Sequence, residues 1–464
     1  MRNKFFTLSI VILLTAPLFS QIKLPAVIGD NMVLQQNSDA AVWGWGEPGS
    51  EIRVTGSWNN DTVKTKISNH SFWSVKLKTP SAGGPFTVNI KSGDELTLKN
   101  VMIGEVWICS GQSNMEWSAS HNLMNAEEEI KNANYPNIRL FHVNKVASET
   151  PQDNCFGEWE ECSPESMKTF SSVGYFFSRH LHQNLNIPVG IIEVAWGGTP
   201  AEVWVKPDLI EADPLLSSGA LKLQTYDWWP NKPGVTYNAM IKPLIPFSIA
   251  GAIWYQGESN TINFESYSKL MNTLIGNWRS DLGKEFPFYF VQIAPYAYGK
   301  DTKAAMIREM QTKTMYDVPK TGMVVVSDLV DDIKNIHPAN KQDVGKRLAN
   351  WALSETYGIK GIAYRFPMYE SMKVEKSKIR ISFKNVPDGL IMKGDALLHF
   401  EIAGPDRVFV PATAKIDGNT VVVYAKEIKT PAAVRFSFSN DAMGNLFSSE
   451  GLPVAPFRTD SWEY

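Results

Sequence analysis

A serine at the end of a short apolar run, two glycines at a second such end and a histidine far downstream are the residues of this chain whose types and order suit acyl transfer. Val106 to Cys109 read VWIC and run into Ser110, Gly111, Gln112, Ser113 and Asn114, the pattern of a buried strand stopped by a turn. In an open parallel sheet such a strand end faces the ligand crevice. Ser113 is therefore a candidate nucleophile, although Ser and Asn also cap helices for ordinary hydrogen-bonding reasons. His337, in Ile336-His337-Pro338, follows the last apolar run and is the candidate general base. Gly197 and Gly198, after VGIIEVAW, can turn backbone N–H groups toward a bound oxygen, with a Gln or Asn side chain adding a donor; a tight turn needs the same two glycines.

A carboxylate should orient the imidazole, and Asp328, Asp331 and Asp332 all precede His337 without the sequence choosing among them. Glu258, at the end of the buried run AGAIWYQ, needs a partner, for which Arg308 is a candidate. Gln112, Asn114, Glu258 and Arg308 complete the list of candidate substrate-binding residues. His180 and His182 point to different faces of a helix, and His70, His121, His142 and His399 are isolated, so no metal site is expected.

Five apolar runs must position these groups: VWICS, VGIIEVAW, AGAIWYQ, FPFYFVQIA and GMVVVSDLV. Continuous apolar strands suit a parallel sheet covered on both faces. Between them Phe264, Tyr267, Leu270, Met271, Leu274, Ile275 and Trp278 recur at helical spacing, as do Val344, Leu348 and Trp351. The expected class is α/β: a flavodoxin-like, doubly wound domain over 101–358. Alternating strands parted by Gly, Pro, Asn and Asp predict β domains over 21–100 and 359–464, the latter a sandwich.

With 464 residues the chain is long enough for several domains. A formal net charge of −3 gives no argument for nucleic acid or an anionic membrane. Arg2, Lys4 and the apolar run from Phe5 to Leu14 fit a cleavable secretory signal over 1–20, which places the mature protein in the periplasm or outside the cell. No later segment reads as transmembrane, and no membrane anchor is evident. Of three cysteines, Cys109 reads as a buried thiol, while Cys155 and Cys162 bracket a short loop and could close a disulfide in an oxidising compartment. Fifteen Trp lean toward carbohydrate, since indoles stack on the apolar faces of sugar rings.

The motifs GQSNMEW, WGGTPAEVW, WYQGESN and IHPANKQDVGKRLA, in that order, resemble the sialate O-acetylesterase family of SGNH-type hydrolases, as do IGDNMVLQQ near the start and GLPVAPFRTD near the end. The resemblance implies a cofactor-free esterase that removes acetyl groups from sugar hydroxyls, sialic acid or a related glycan such as acetylated xylan, with Ser113 as nucleophile and His337 as base. It implies an oxyanion hole of Gln256, the Ser113 N–H and a Gly197 or Gly198 N–H. The wider superfamily often carries an Asp three residues before the His, where this chain has Lys334. Asp332 is the first choice for that role, and a Ser–His dyad supported by a backbone carbonyl is the alternative. The rival from another class is a carbohydrate-binding protein using the same scaffold without chemistry.

Overall fold

The strand that delivers the serine is 18 residues long and belongs to two sheets at once. In the computed structural model, which describes residues 21–463, β1 (Asp94–Gly111) pairs through its first half with the antiparallel strand Gly83–Ser92 and with the parallel strand Val33–Gln35. Its second half, from Glu105 onward, enters the central parallel sheet. The leader expected over 1–20 lies outside the described residues. The boundary read at residue 100 falls inside β1, and the cores on either side of it form one continuous apolar cluster.

The other central strands are β2 (Tyr135–His142), β3 (Trp159–Cys162), β4 (Val189–Ala195), β5 (Gly251–Tyr255), β6 (Phe288–Val291) and β7 (Thr321–Val324). Their spatial order is β7-β6-β5-β1-β4-β2-β3, all parallel except the edge strand β3. The five strands read from apolar runs take the flavodoxin-like order, with β1 flanked by β4 and β5. The connections leave β1 in opposite directions along the sheet, so a crevice opens above its carboxyl end. The strands β2 and β3 extend the sheet beyond the expected five.

Helices α1 (Ser172–Leu185) and α4 (Lys341–Trp351) pack together, as do α2 (Phe264–Leu282) and α3 (Lys303–Asp317). Because strand side chains alternate in direction, neighbouring residues reach different helix pairs. Phe288 meets Trp278 of α2, with Trp254 against both, whereas Tyr289 meets Trp351 of α4 and Trp107 meets Phe177 of α1. The periodic residues of α2 from Tyr267 to Trp278 are buried, as their spacing requires. The last helix starts at Lys341, with the Asn340 side chain capping the Asp343 N–H.

The α1–α4 crossing depends on Gly345. A Cβ there would lie 2.8 Å from the Val173 carbonyl oxygen and 2.8 Å from the Phe177 nitrogen, both backbone atoms that cannot step aside. Gly345→Ala is expected to push the helices apart and to cost about 1–3 kcal/mol, despite alanine's better helix propensity. The check is a lower urea midpoint at unchanged m value.

The C-terminal region from 368 builds two four-stranded antiparallel sheets and a two-stranded pair around its own core, including Ile381, Phe400, Val421 and Phe436. Cys109, Cys155 and Cys162 are separate buried thiols, so the bridge considered for Cys155 and Cys162 is not formed. Burial pushes the latter two up to about 12. Among the described residues no helix is long and apolar enough to cross a membrane.

Candidate active site

At the end of β1 the chain must turn sharply upward, and Gly111 permits it. Its φ is +136°, and a Cβ would stand 2.2 Å from the Tyr255 carbonyl oxygen on the neighbouring strand. The Gln112 N–H then donates to that same carbonyl, and Ser113 opens a single helical turn, Ser113–Glu116. Ser113 Oγ lies 2.8 Å from His337 Nε2. Residues separated by 224 positions in the chain are thus in direct hydrogen-bond contact above the crevice.

The imidazole is positioned by packing. The Trp117 ring stacks on it at 3.9 Å between centroids and an interplanar angle of 16°, and the His337 N–H of the backbone donates to Asn335 Oδ1 at 3.0 Å. None of the three aspartates hydrogen-bonds to the ring among the described residues. Asp332 accepts from the Lys334 N–H, which folds its carboxylate back onto its own turn. Asp328 forms a two-pronged pair with Arg347 at 2.7 Å on each arm. Among the described residues the ring thus contacts the Trp117 indole and not the Asp332 carboxylate expected beside it.

Burial holds the His337 imidazole down to about 4, with Lys341 and His121 adding repulsion. The ring is thus neutral, and able to accept the serine proton, well below the ordinary histidine range. With His337 in the role of base expected from the sequence, the acid limb of kcat/KM falls near pH 4, not near 6.5, because the base is lost only when the folded-state group protonates. A limb centred at 6.5 would contradict this environment. For folding the sign is the same. The unfolded chain binds the proton first, so His337 costs stability as pH falls below 6.5, and the loss is complete near 4.

Behind His337 lies a buried polar chain built on Asn114. Its Nδ2 donates to Glu258 Oε1 at 2.7 Å and to the Ile336 carbonyl at 3.0 Å, while its Oδ1 accepts from Lys341 Nζ at 2.6 Å. Burial pushes Glu258 up and Lys341 down to about 7. Asn114 is fully buried and so serves the scaffold, not the substrate. The pairing considered between Glu258 and Arg308 is also corrected. Arg308 is 1% exposed and donates to the Ser439 carbonyl, and among the described residues no ion pair joins it to Glu258.

The expected oxyanion donors divide. Gln256 is fully buried, and its Nε2 donates to Asn260 Oδ1 at 2.7 Å and to the Thr199 carbonyl. It braces the wall behind the cleft instead of reaching it. The Gly197 N–H donates to Glu116 Oε2 at 2.6 Å and is likewise occupied. Gly198, at φ +82°, carries the Trp229 indole on its backbone, where a Cβ would come within 2.2 Å of the ring. No partner within the described residues occupies the N–H of Ser113 or Gly198. Gln112 Oε1 accepts from the Gly257 N–H, which leaves its Nε2 without a protein partner among the described residues.

Ser113, His337, Gln112, Gly198, Glu258 and Trp229 line one cleft of about 550 Å³, within the usual range for small-molecule sites of about 300–1,000 Å³. Among the described residues no cluster of His, Cys, Asp and Glu could hold a metal ion. Trp117, Glu116, Lys341 and His121 were not singled out from the sequence as site residues. Three of them stand inside the motifs GQSNMEW and IHPANKQD, where their place in the motif was the available signal.

Residues 103–354 match the model of a carbohydrate esterase family described as sialic acid-specific acetylesterase. The chain is 32% identical to human sialate O-acetylesterase over 385 residues, covering 75% of this chain and 73% of that one. It is 30% identical to the mouse sialate O-acetylesterase, covering 75% and 76%. A crystal structure of a carbohydrate acetylesterase from Xanthomonas citri superposes with a TM-score of 0.87 at 34% identity, over 95% of this chain and 100% of that one. Fold and sequence together define a carbohydrate esterase, which sets aside the rival of a binding scaffold without chemistry. The chain belongs to the sialate O-acetylesterase family.

Proposed function

We propose that this esterase removes O-acetyl groups from carbohydrates, sialic acid or a related glycan, through an acetyl-serine intermediate on Ser113. The hydrogen bond of 2.8 Å between Ser113 Oγ and a neutral His337 Nε2 is the observation that carries this reading. His337 takes the hydroxyl proton as Oγ attacks the acetyl carbonyl, and the tetrahedral oxygen is held by the N–H groups of Ser113 and Gly198 with the Gln112 carboxamide. Collapse expels the sugar oxygen, to which His337 returns the proton. Water, deprotonated by the same imidazole, then attacks the acetyl-serine and releases acetate. Three donors without a protein partner among the described residues, on residues that line one cleft, support this step, since loss of one such donor typically costs about 10²–10³ in kcat. The leader pattern at the N-terminus supports action in the periplasm or outside the cell. The test is acetate release across a panel of acetylated sialic acids and xylans, with Ser113→Ala as the blank. Release from none of them by the wild-type protein would refute the reading.

A further inference from the structure

One wall of the cleft is a loop, residues 221–233, without regular secondary structure and rich in exposed aromatic surface. Trp228 is 65% exposed and Tyr226 39%, unusual for residues that normally bury their rings. They form a contiguous patch with Trp229. Tyr226 lies 4.5 Å and Trp228 5.6 Å from it between centroids, and 6.0 Å from each other. Trp229 rests on Gly198 beside Ser113, so the patch runs outward from the reacting centre without a break.

Hydrogen bonds brace the loop that carries the patch. The Asn231 side chain donates to the Gln224 carbonyl at 3.0 Å, the Tyr226 hydroxyl donates to Gln224 Oε1 at 2.8 Å, and Trp196 Nε1 donates to the Trp228 carbonyl at 3.2 Å. These bonds hold the loop closed on itself and tie it to the end of β4. An exposed apolar face so held, continuous with a reactive cleft that Gln224 also lines, suits a ligand that is apolar on one face and hydroxylated at its rim. A pyranose ring has that character.

We propose that Tyr226 and Trp228 form a stacking subsite for a second sugar ring, so that the enzyme acts preferentially on acetyl esters carried within an oligosaccharide. This inference rests on the Ser113 esterase reading above, because the acetylated ring must occupy the inner cleft for its neighbour to reach the loop. The first sugar then lies over Ser113, and the next one extends outward onto the Trp228 face.

The test compares matched substrates: O-acetyl-N-acetylneuraminic acid free and within sialyl-lactose, and O-acetyl xylose against acetylated xylotriose, with para-nitrophenyl acetate as the measure of chemistry alone. The wild-type protein is expected to favour the linked form of whichever pair it cleaves. Trp228→Ala should raise KM for that form about five- to tenfold, with kcat and aryl acetate turnover unchanged, and Trp228→Phe should recover most of the loss. Equal constants for free and linked sugars, an unchanged KM in Trp228→Ala, or an equal loss on the aryl ester would overturn the subsite. Hydrolysis of the aryl ester but of neither glycan pair would also overturn it. Aryl ester turnover that survives Ser113→Ala would refute the nucleophile assignment, and the subsite would fall with it.

Discussion

Ser113→Ala is expected to lower turnover of an aryl acetate by about 10⁴-fold or more, with the circular dichroism spectrum and melting temperature unchanged. The magnitude follows from losing the covalent route altogether, since among the described residues no other hydroxyl shares the 2.8 Å contact with His337. The fold should be indifferent because, among the described residues, Ser113 Oγ makes no hydrogen bond other than the one to His337. The residual rate measures what the oxyanion donors do alone. A fluorophosphonate probe should label the wild-type protein and leave the variant unlabelled. Turnover within tenfold of wild type would place the nucleophile elsewhere.

Asn114→Ala is expected to have the largest effect on stability. One carboxamide satisfies Lys341, Glu258 and the carbonyl that precedes His337, all in a buried setting. Its removal strands an ammonium and a carboxyl together, when Glu258 Oε2 already lacks a partner. Breaking such a buried polar arrangement costs about 3–5 kcal/mol, a fall in melting temperature of roughly 10 °C for a domain of this size. Activity should fall too, because the Ile336–His337 segment loses its tether to the turn that carries Ser113. Denaturant midpoints and aryl acetate kinetics on the same preparation check both halves. A stability within 1 kcal/mol of wild type would mean that Asn114 does not satisfy this network.

The order of the central strands and the meeting of Ser113 with His337 were legible in the sequence for one reason. Five continuous apolar runs imply a parallel sheet, and in such a sheet the polar residues after each run share one rim. The strand β2 escaped because its sequence, YPNIRLFH, carries Pro136 and Arg139. The fold accepts a buried Arg139 because its guanidinium donates to the carbonyls of Pro136, Asn31 and Asn100. The Asn31 and Asn100 carbonyls come from separate segments, and no local pattern announces them.

The support behind His337 was illegible for a related reason. Three aspartates within ten residues of it made a carboxylate the natural expectation. Asp328 is claimed by Arg347 and Asp332 by its own turn, choices made by neighbours distant in sequence or by local backbone geometry. Trp117 takes the supporting place through ring stacking, an interaction that spacing does not encode. Gln256 was expected at the oxyanion from the resemblance alone, and its donors are committed to Asn260 and Thr199.

The double membership of β1 has a mechanical meaning. Residues 94–104 are clamped by hydrogen bonds to the N-terminal strands, and seven residues later the same unbroken strand ends beside Ser113. Strands resist extension and slippage along their length, since a shift of one residue would turn every side chain to the opposite face. The small N-terminal sheet therefore acts as an anchor for the position of Ser113 along the sheet. An excised catalytic fragment beginning at residue 101 would keep every reacting group and lose the fixture that sets their depth in the cleft.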